Sequence, residues 1–388
     1  MMKRLFFLAL TLTFLLSGCA IFSPLQKAQL VPVFHLIETA RYNEAKGAVE
    51  ELISSEEAAG WPRTWYARGL LSQKAYREGM SKNDKKLFEL YPDQLYVAFE
   101  SYQRADSLDK SGRLDKQLLP RYVLLANDFQ KAGERHFSNK EYLEALRAFE
   151  HALGITQRPQ FGLKTDTNLV YNAALAAYEA RKWDKAAEYL ARLHEYGYSP
   201  NVAHLLFNAS LAKGDTLSGK NVLREGIEKY DDNETLVLLL ADIHLLRKEY
   251  SSAVLVLDQA ILRDSANYVY HNTKGLTFQR TEDFENAIAA YKDAIALAPD
   301  EHMSYLNLAT CYYNIGVDIE ESTRAMTNIS LVLRERQKST AAFEQAVYWL
   351  DQVYDKEPED QEVLKRLHEL YRMLRIYDKV LSLEQKIR

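Results

Sequence analysis

The chain has 388 residues, 47% apolar and 27% charged, enough for a large core, and its 15 Gly and 9 Pro are too few for a turn-rich sheet protein. The formal net charge is −5 at pH 7, or −7 (−5 − 2) once Lys3 and Arg4 leave with a leader, which argues against nucleic acid as a partner. The 25 Tyr are accounted for by packing positions in helices and need no special role.

In chain order, Lys3 and Arg4 precede an apolar run from Leu5 to Leu16, and then comes Leu16-Ser17-Gly18-Cys19. This stretch resembles a bacterial lipoprotein signal with its lipobox. An ordinary secretory leader or a short membrane anchor is the alternative, although the 12 residues of the run fall short of the roughly 20 that a span needs. The resemblance implies a signal peptide over residues 1–18, cleavage before Cys19, palmitate or a similar chain on the Cys19 thiol, and stable anchoring by several acyl chains. Ala20 follows and no acidic run comes after it, so the retention and surface-export signals of such lipoproteins are missing. An outer-membrane, periplasm-facing location follows from the resemblance. Residues 19–27 read as a lipidated tether, from Ala20 on reaching roughly 25 Å if extended, and 28–388 as one continuous helical body, because no Pro-, Gly- or Ser-rich linker divides it.

Helical hairpins then succeed one another. Tyr42, Ala45 and Val49 mark the second helix of the first. Trp65 and Gly69 mark one helix of the second and Ala98, Tyr102 and Ala105 the other, with about 17 extra residues between. Gly133, Tyr142, Ala145, Phe149 and Ala152 mark the third, and Ala174, Trp183 and Ala186 the fourth. The fifth, from Pro200, keeps Leu223 but has Gly219 and Gly226 at both small positions, which predicts a softer joint. The sixth has Tyr250, Ala253, Leu257 and Ala260.

The seventh, Tyr268 to Glu301, is the most complete. Counting Tyr268 as first, Gly275 is eighth, Phe278, Phe284 and Tyr291 are eleventh, seventeenth and twenty-fourth, Ala287 and Ala294 are twentieth and twenty-seventh, and Pro299 is thirty-second. Small residues let two antiparallel helices approach, and the aromatics fill the space beside each contact. Pro299 cannot donate to a helical ladder and stops the second helix, while Asp300 is placed to cap the next. The eighth hairpin starts with Tyr305, Leu308, Ala309 and Tyr312 and resumes at Ala346 and Leu350 after about 25 inserted residues. Ile319, Met326, Ile329 and Leu333 form a 7-3-4 apolar stripe, which predicts that both helices continue outward as a projecting hairpin over about 317–345. Leu364, Leu367, Tyr371, Tyr377 and Val380 give a last, shortened hairpin.

This pattern resembles the tetratricopeptide repeat family throughout. The resemblance implies an all-α, α-α superhelical solenoid of about nine hairpins, two with helical insertions, in which one hairpin cannot bury its face alone and stacks on its neighbours.

Gly214 to Asn221 imitates a phosphate-binding loop, but Asn221 stands where Ser or Thr should hold magnesium and a helix precedes it instead of a strand. His194-Glu195 and His368-Glu369 lack the second His of a zinc-protease helix, and no metal site is expected. Cys311 is the one thiol left once Cys19 is acylated, and packing is its expected role. No cofactor, nucleotide, catalytic residue or enzymatic activity is expected.

Surface remains. In the family the first helices line a groove, which by resemblance falls here on Tyr171, Leu175 and Tyr178, on His204 and Asn208, and on Leu238, Asp242 and Leu245. It continues on Asn272, Leu276 and Gln279, and on Leu306, Thr310 and Tyr313. Leu and Tyr would bury area while Asn and Gln orient a peptide backbone. Packing against the adjoining helix is the alternative for each of them. The expected function is a non-enzymatic, membrane-anchored scaffold for envelope proteins. The alternative is glycan capture by an outer-membrane lipoprotein on the same scaffold, with Trp61 and Trp65 the aromatics to watch.

Overall fold

The computed structural model describes residues 23–159, 166–231 and 233–387. The expected leader, Cys19 and the start of the tether lie outside them. The described residues form 20 helices and no strand, an all-α solenoid of hairpins. The chain divides into two compact units, up to Tyr198 and from Ser199 on, where a linker-free sequence led us to expect one body. Hairpins in a stack touch mainly their neighbours, so a boundary can fall at a junction without a change in composition.

The first unit has α1 (Pro24–Glu38), α2 (Tyr42–Ser54), a single turn α3 (Glu56–Ala59), α4 (Pro62–Lys82), the short α5 (Lys85–Phe88) and α6 (Gln94–Leu108). It continues with α7 (Asp115–Ser138), α8 (Tyr142–Thr156), α9 (Thr167–Glu179) and α10 (Trp183–Glu195). Ser23 caps α1 reciprocally with Gln26, so residues 24–27, assigned above to the tether, are helix.

The second unit pairs α11 (Pro200–Ala212) with α12 (Thr216–Lys229), α13 (Glu234–Leu246) with α14 (Tyr250–Arg263), and α15 (Tyr268–Gln279) with α16 (Phe284–Leu297). Then follow α17 (His302–Thr323) with α18 (Ile329–Tyr354) and α19 (Gln361–Met373) with α20 (Tyr377–Glu384).

Seven hairpins turn in the same way. Ala40, Lys140, Arg181, Gly214, Lys248, Glu282 and Arg375 each take positive φ, between 55° and 81°, two residues before the second helix. The next amide reaches back to the carbonyl five residues earlier, as Asp283 does to Phe278 at 3.1 Å and Glu249 to His244 at 2.8 Å. Gly214 is thus the left-handed residue of an ordinary hairpin turn, which disposes of the phosphate-loop likeness.

Between the helices of a hairpin, glycine lies under an aromatic ring. A Cβ added to Gly275 would meet the Tyr291 ring at 2.7 Å, and the same holds for Gly69 under Tyr102 at 2.5 Å and Gly133 under Phe149 at 2.6 Å. Ala287, Tyr291 and Ala294 are fully buried, and Phe278 and Phe284 pack on the cluster that Ala287 and Tyr291 form with Leu308 and Cys311. In the fifth hairpin Gly219 sits under Phe207 and Gly226 under Leu236, at 3.0 and 2.6 Å from an added Cβ. These glycines are filled contacts, where their lack of side chain had suggested softness. Pro299 follows the end of α16 and its carbonyl accepts from Tyr305 Oη at 3.0 Å. Asp300 does not cap α17: Glu301 holds the N-cap position without a side-chain bond, and Asp300 pairs with Lys356 instead.

The insertion in the eighth hairpin is helical on both sides. Gly316 lies under Phe343, at 2.5 Å from an added Cβ, and Ser339 Oγ donates to its carbonyl at 2.8 Å. The small-under-large rung thus recurs seven residues beyond Ala309. The expected apolar stripe does not form. α17 ends at Thr323 and Asn328 caps α18, which leaves Met326 in the turn, and Ile329 and Leu333 are 76% and 58% exposed. A turn between Ile319 and Ile329 breaks the helical spacing on which the stripe relied.

Candidate functional site

The candidate groove residues fall on first helices, α9, α11, α13, α15 and α17, and each is half-buried except Asp242, which is exposed. In the first unit Tyr171 stacks on Tyr198 with ring centroids 5.1 Å apart, and Tyr178 meets Trp183 edge-on at 5.3 Å. Leu175 borders a cleft of about 200 Å³ with Asn172, Phe137 and Phe149. The two tyrosines therefore spend at least one ring face on their own hairpin.

In the second unit the residues connect from helix to helix. Leu238 packs against the core made by Val237, Ala241, Leu257 and Tyr270. Asn272 Oδ1 accepts from Ser304 Oγ at 3.0 Å, which ties α15 to α17. Gln279 Oε1 accepts from Tyr291 Oη at 2.7 Å, so its NH2 group is the part left for a ligand. Thr310 accepts from Arg366 at 2.8 Å and Tyr313 donates to Glu369 at 3.3 Å, which ties α17 to α19. Two open cavities mark this face. One of about 440 Å³ is bordered by Leu276, Gln279, Arg280 and Asn314, and one of about 230 Å³ by Thr310, Tyr313, Asn314, Arg366 and Glu369.

His204 and Asn208 on α11 and Leu245 on α13 are half-buried without joining a cavity named here. Burial by the surrounding helices pushes the Asp242 carboxyl above its usual range, although the residue is open to solvent. Sequence reasoning missed Asn314, Arg366 and Glu369. Asn314 directly follows Tyr313 on α17, one residue beyond a position already singled out. Arg366 and Glu369 lie in the last, shortened hairpin, for which no groove position was expected.

The remaining reactive groups are structural. Cys311 is fully buried and its thiol is pushed up to about 12 by burial. Lys220 of the phosphate-loop lookalike pairs with Glu249 at 3.0 Å, and Glu249 also meets His244 at 2.6 Å and Arg247 at 2.8 Å. Hydrogen bonds from Lys220, His244 and Arg247 bring the Glu249 carboxyl down to about 2. In unit one, Gln73 donates to Asp128 Oδ2 at 3.0 Å while accepting from Tyr102 Oη at 2.9 Å, a buried network across α4, α6 and α7. Trp65 Nε1 donates to the Ala59 carbonyl at 2.8 Å, and its indole takes part in local packing beside Arg68.

Residues 272–316 match the family model described as tetratricopeptide repeat. No curated protein matches the sequence. Among solved structures, a TPR repeats protein from Bacteroides fragilis is 21% identical, with a TM-score of 0.36, over 64% of this chain and 98% of that one. The C-terminal part of a TPR repeat-containing protein from Cytophaga hutchinsonii is 12% identical, with a TM-score of 0.45, over 66% of this chain and 93% of that one. An IFIT1 monomeric mutant with Gppp-AAAA is 13% identical, with a TM-score of 0.38, over 83% of this chain and 69% of that one. None of these is near enough to lend this chain a role. By the family match and by the Gly275–Tyr291 rung within it, residues 272–316 are a tetratricopeptide repeat segment in an all-α chain of helical hairpins.

Proposed function

We propose that the protein is a membrane-anchored interaction scaffold, held to the outer membrane through acylated Cys19, that grips envelope proteins or peptides on the first helices of its hairpins. The supporting observation is the face made by α13, α15 and α17. There Leu238, Leu245 and Leu276 stay half-buried beside Asn272 and Gln279, and cavities open around Asn314. Partly exposed leucines supply area that a ligand can still bury, and amides with a free NH2 can orient a peptide backbone. Repeat proteins of this fold are in general interaction scaffolds without catalytic machinery.

The test is capture from envelope extracts by the full chain and by a Leu238→Lys, Leu245→Lys, Leu276→Lys variant. Loss of one or more partners in the variant supports the groove, and an unchanged set overturns it. Incorporation of labelled palmitate that disappears in Cys19→Ala tests the anchor separately. Glycan capture gains no favouring observation, since Trp65 is already engaged by Ala59.

A further inference from the structure

Thr323 and Ser339 are the last buried residues before the turn of the α17–α18 hairpin, and residues 324–338 beyond them are exposed except for half-buried Met326, Val332 and Glu335. Two independent properties mark this arm. Ile329 and Leu333, 76% and 58% exposed, lie one helical turn apart on a single face of α18. Its charges are also unevenly divided, apart from Arg324 at the end of α17 and Glu335 within α18. The end of α17 leading into the arm carries Asp318, half-buried Glu320 and Glu321, and the outer turns of α18 carry Arg334, Arg336 and Lys338. Among the described residues none of the six pairs across the hairpin, and only Lys338 forms an ion pair, with Glu335 on its own helix.

We infer that this arm pairs with the same arm of a second copy of the chain, antiparallel about a twofold axis. In such a pairing each acidic α17 segment faces the basic α18 segment of the other copy, and the Ile329–Leu333 faces close on one another. A twofold interface brings each patch onto its complement in the other subunit, and one acidic helix beside one basic helix is self-complementary in that sense. An anionic bilayer is a poorer occupant, because the acidic helix would be held against it. From Asp318 on α17 contributes its last turn and a half, about 9 Å, and α18 up to Lys338 about 15 Å, so the contact falls short of the ~800 Å² per partner of a stable complex and the dimer is weak and reversible. The exposed charges set register and partner choice more than affinity.

The test places a photo-crosslinking amino acid at exposed Gln337 of the full chain, expressed in cells, with mass spectrometry of each product. Pairing predicts a product of twice the chain mass that contains only this chain. The variant Arg334→Glu, Arg336→Glu, Lys338→Glu should lower its yield at least fivefold, and so should Asp318→Lys, Glu320→Lys, Glu321→Lys. Co-expressing the two variants, or combining all six changes in one chain, should restore it, since either arrangement again sets opposite charges together. That rescue also shows that the variants fold. Absence of the dimer product, adducts only to lipid or to another protein, or failure of the rescue each overturn the pairing.

Discussion

The rung of α4 and α6 and the rung of α15 and α16 use the same three residue types at the same register, and they end differently. In the first, Gly69 lies under Tyr102, whose hydroxyl donates to Gln73; in the other, Gly275 lies under Tyr291, whose hydroxyl donates to Gln279. Gln73 is 1% exposed because α7 lies across it, its NH2 donating to Asp128. Gln279 stays half-buried beside a cavity. An identical motif is thus core in one unit and candidate surface in the other, and the neighbouring first helix decides which.

Four measurements probe how far the two rungs differ. The largest difference is expected for Gln73→Ala against Gln279→Ala. The first leaves Tyr102 and Asp128 buried without their partner and should cost about 2–4 kcal/mol, and the second, open to water, under about 1 kcal/mol. Urea unfolding followed by circular dichroism measures both, and equal losses would remove the distinction.

Gly69→Ala and Gly275→Ala should each cost about 1–3 kcal/mol, because rings pinned by their hydroxyls cannot shift to admit a methyl group. A neutral result at either position would mean that the ring can move. Tyr102→Phe should cost about 1–2 kcal/mol and Tyr291→Phe under about 1 kcal/mol, since water can replace the lost hydroxyl only at the open site. Differential melting resolves that pair.

The smallest effect is in pH. Burial raises the Asp128 carboxyl above its unfolded value, so its neighbourhood gains stability as pH falls through the carboxylate range. Glu249 is lowered from 4.5 to about 2, so its contribution is complete above about 4.5 and lost as pH falls toward 2. Hydrogen-exchange protection factors, corrected for the intrinsic pH dependence of amide exchange, should therefore fall around α13 and α14 at pH 3 relative to pH 6, and Glu249→Gln should abolish that change while leaving α4 and α7 alone.

What could be read in the sequence follows the same division. Gly275, Ala287, Tyr291 and Ala294 lie within one 34-residue unit, so their spacing alone reveals a hairpin and its rung. Gln73 and Asp128 lie 55 positions apart on helices of unequal length, and no local period announces that they meet. The groove positions assume a first helix of standard length, which α9, α11 and α13 have at 13 residues and α15 at 12, whereas α17 runs to 22. The stripe over Ile319 to Leu333 failed because periodicity cannot register a five-residue turn inside it. Asn328, which caps α18, was the residue that could have warned of that turn.

The left-handed corners have a practical consequence. Ala40, Lys140, Arg181, Lys248, Glu282 and Arg375 are exposed side chains in a conformation that disfavours most L-residues by roughly 1–2 kcal/mol. Asparagine tolerates that conformation without the extra unfolded-state freedom of glycine. Six such exchanges, far apart and clear of the helical faces, would give a hardier version of this molecule for handling and crystallisation with its contact surfaces untouched.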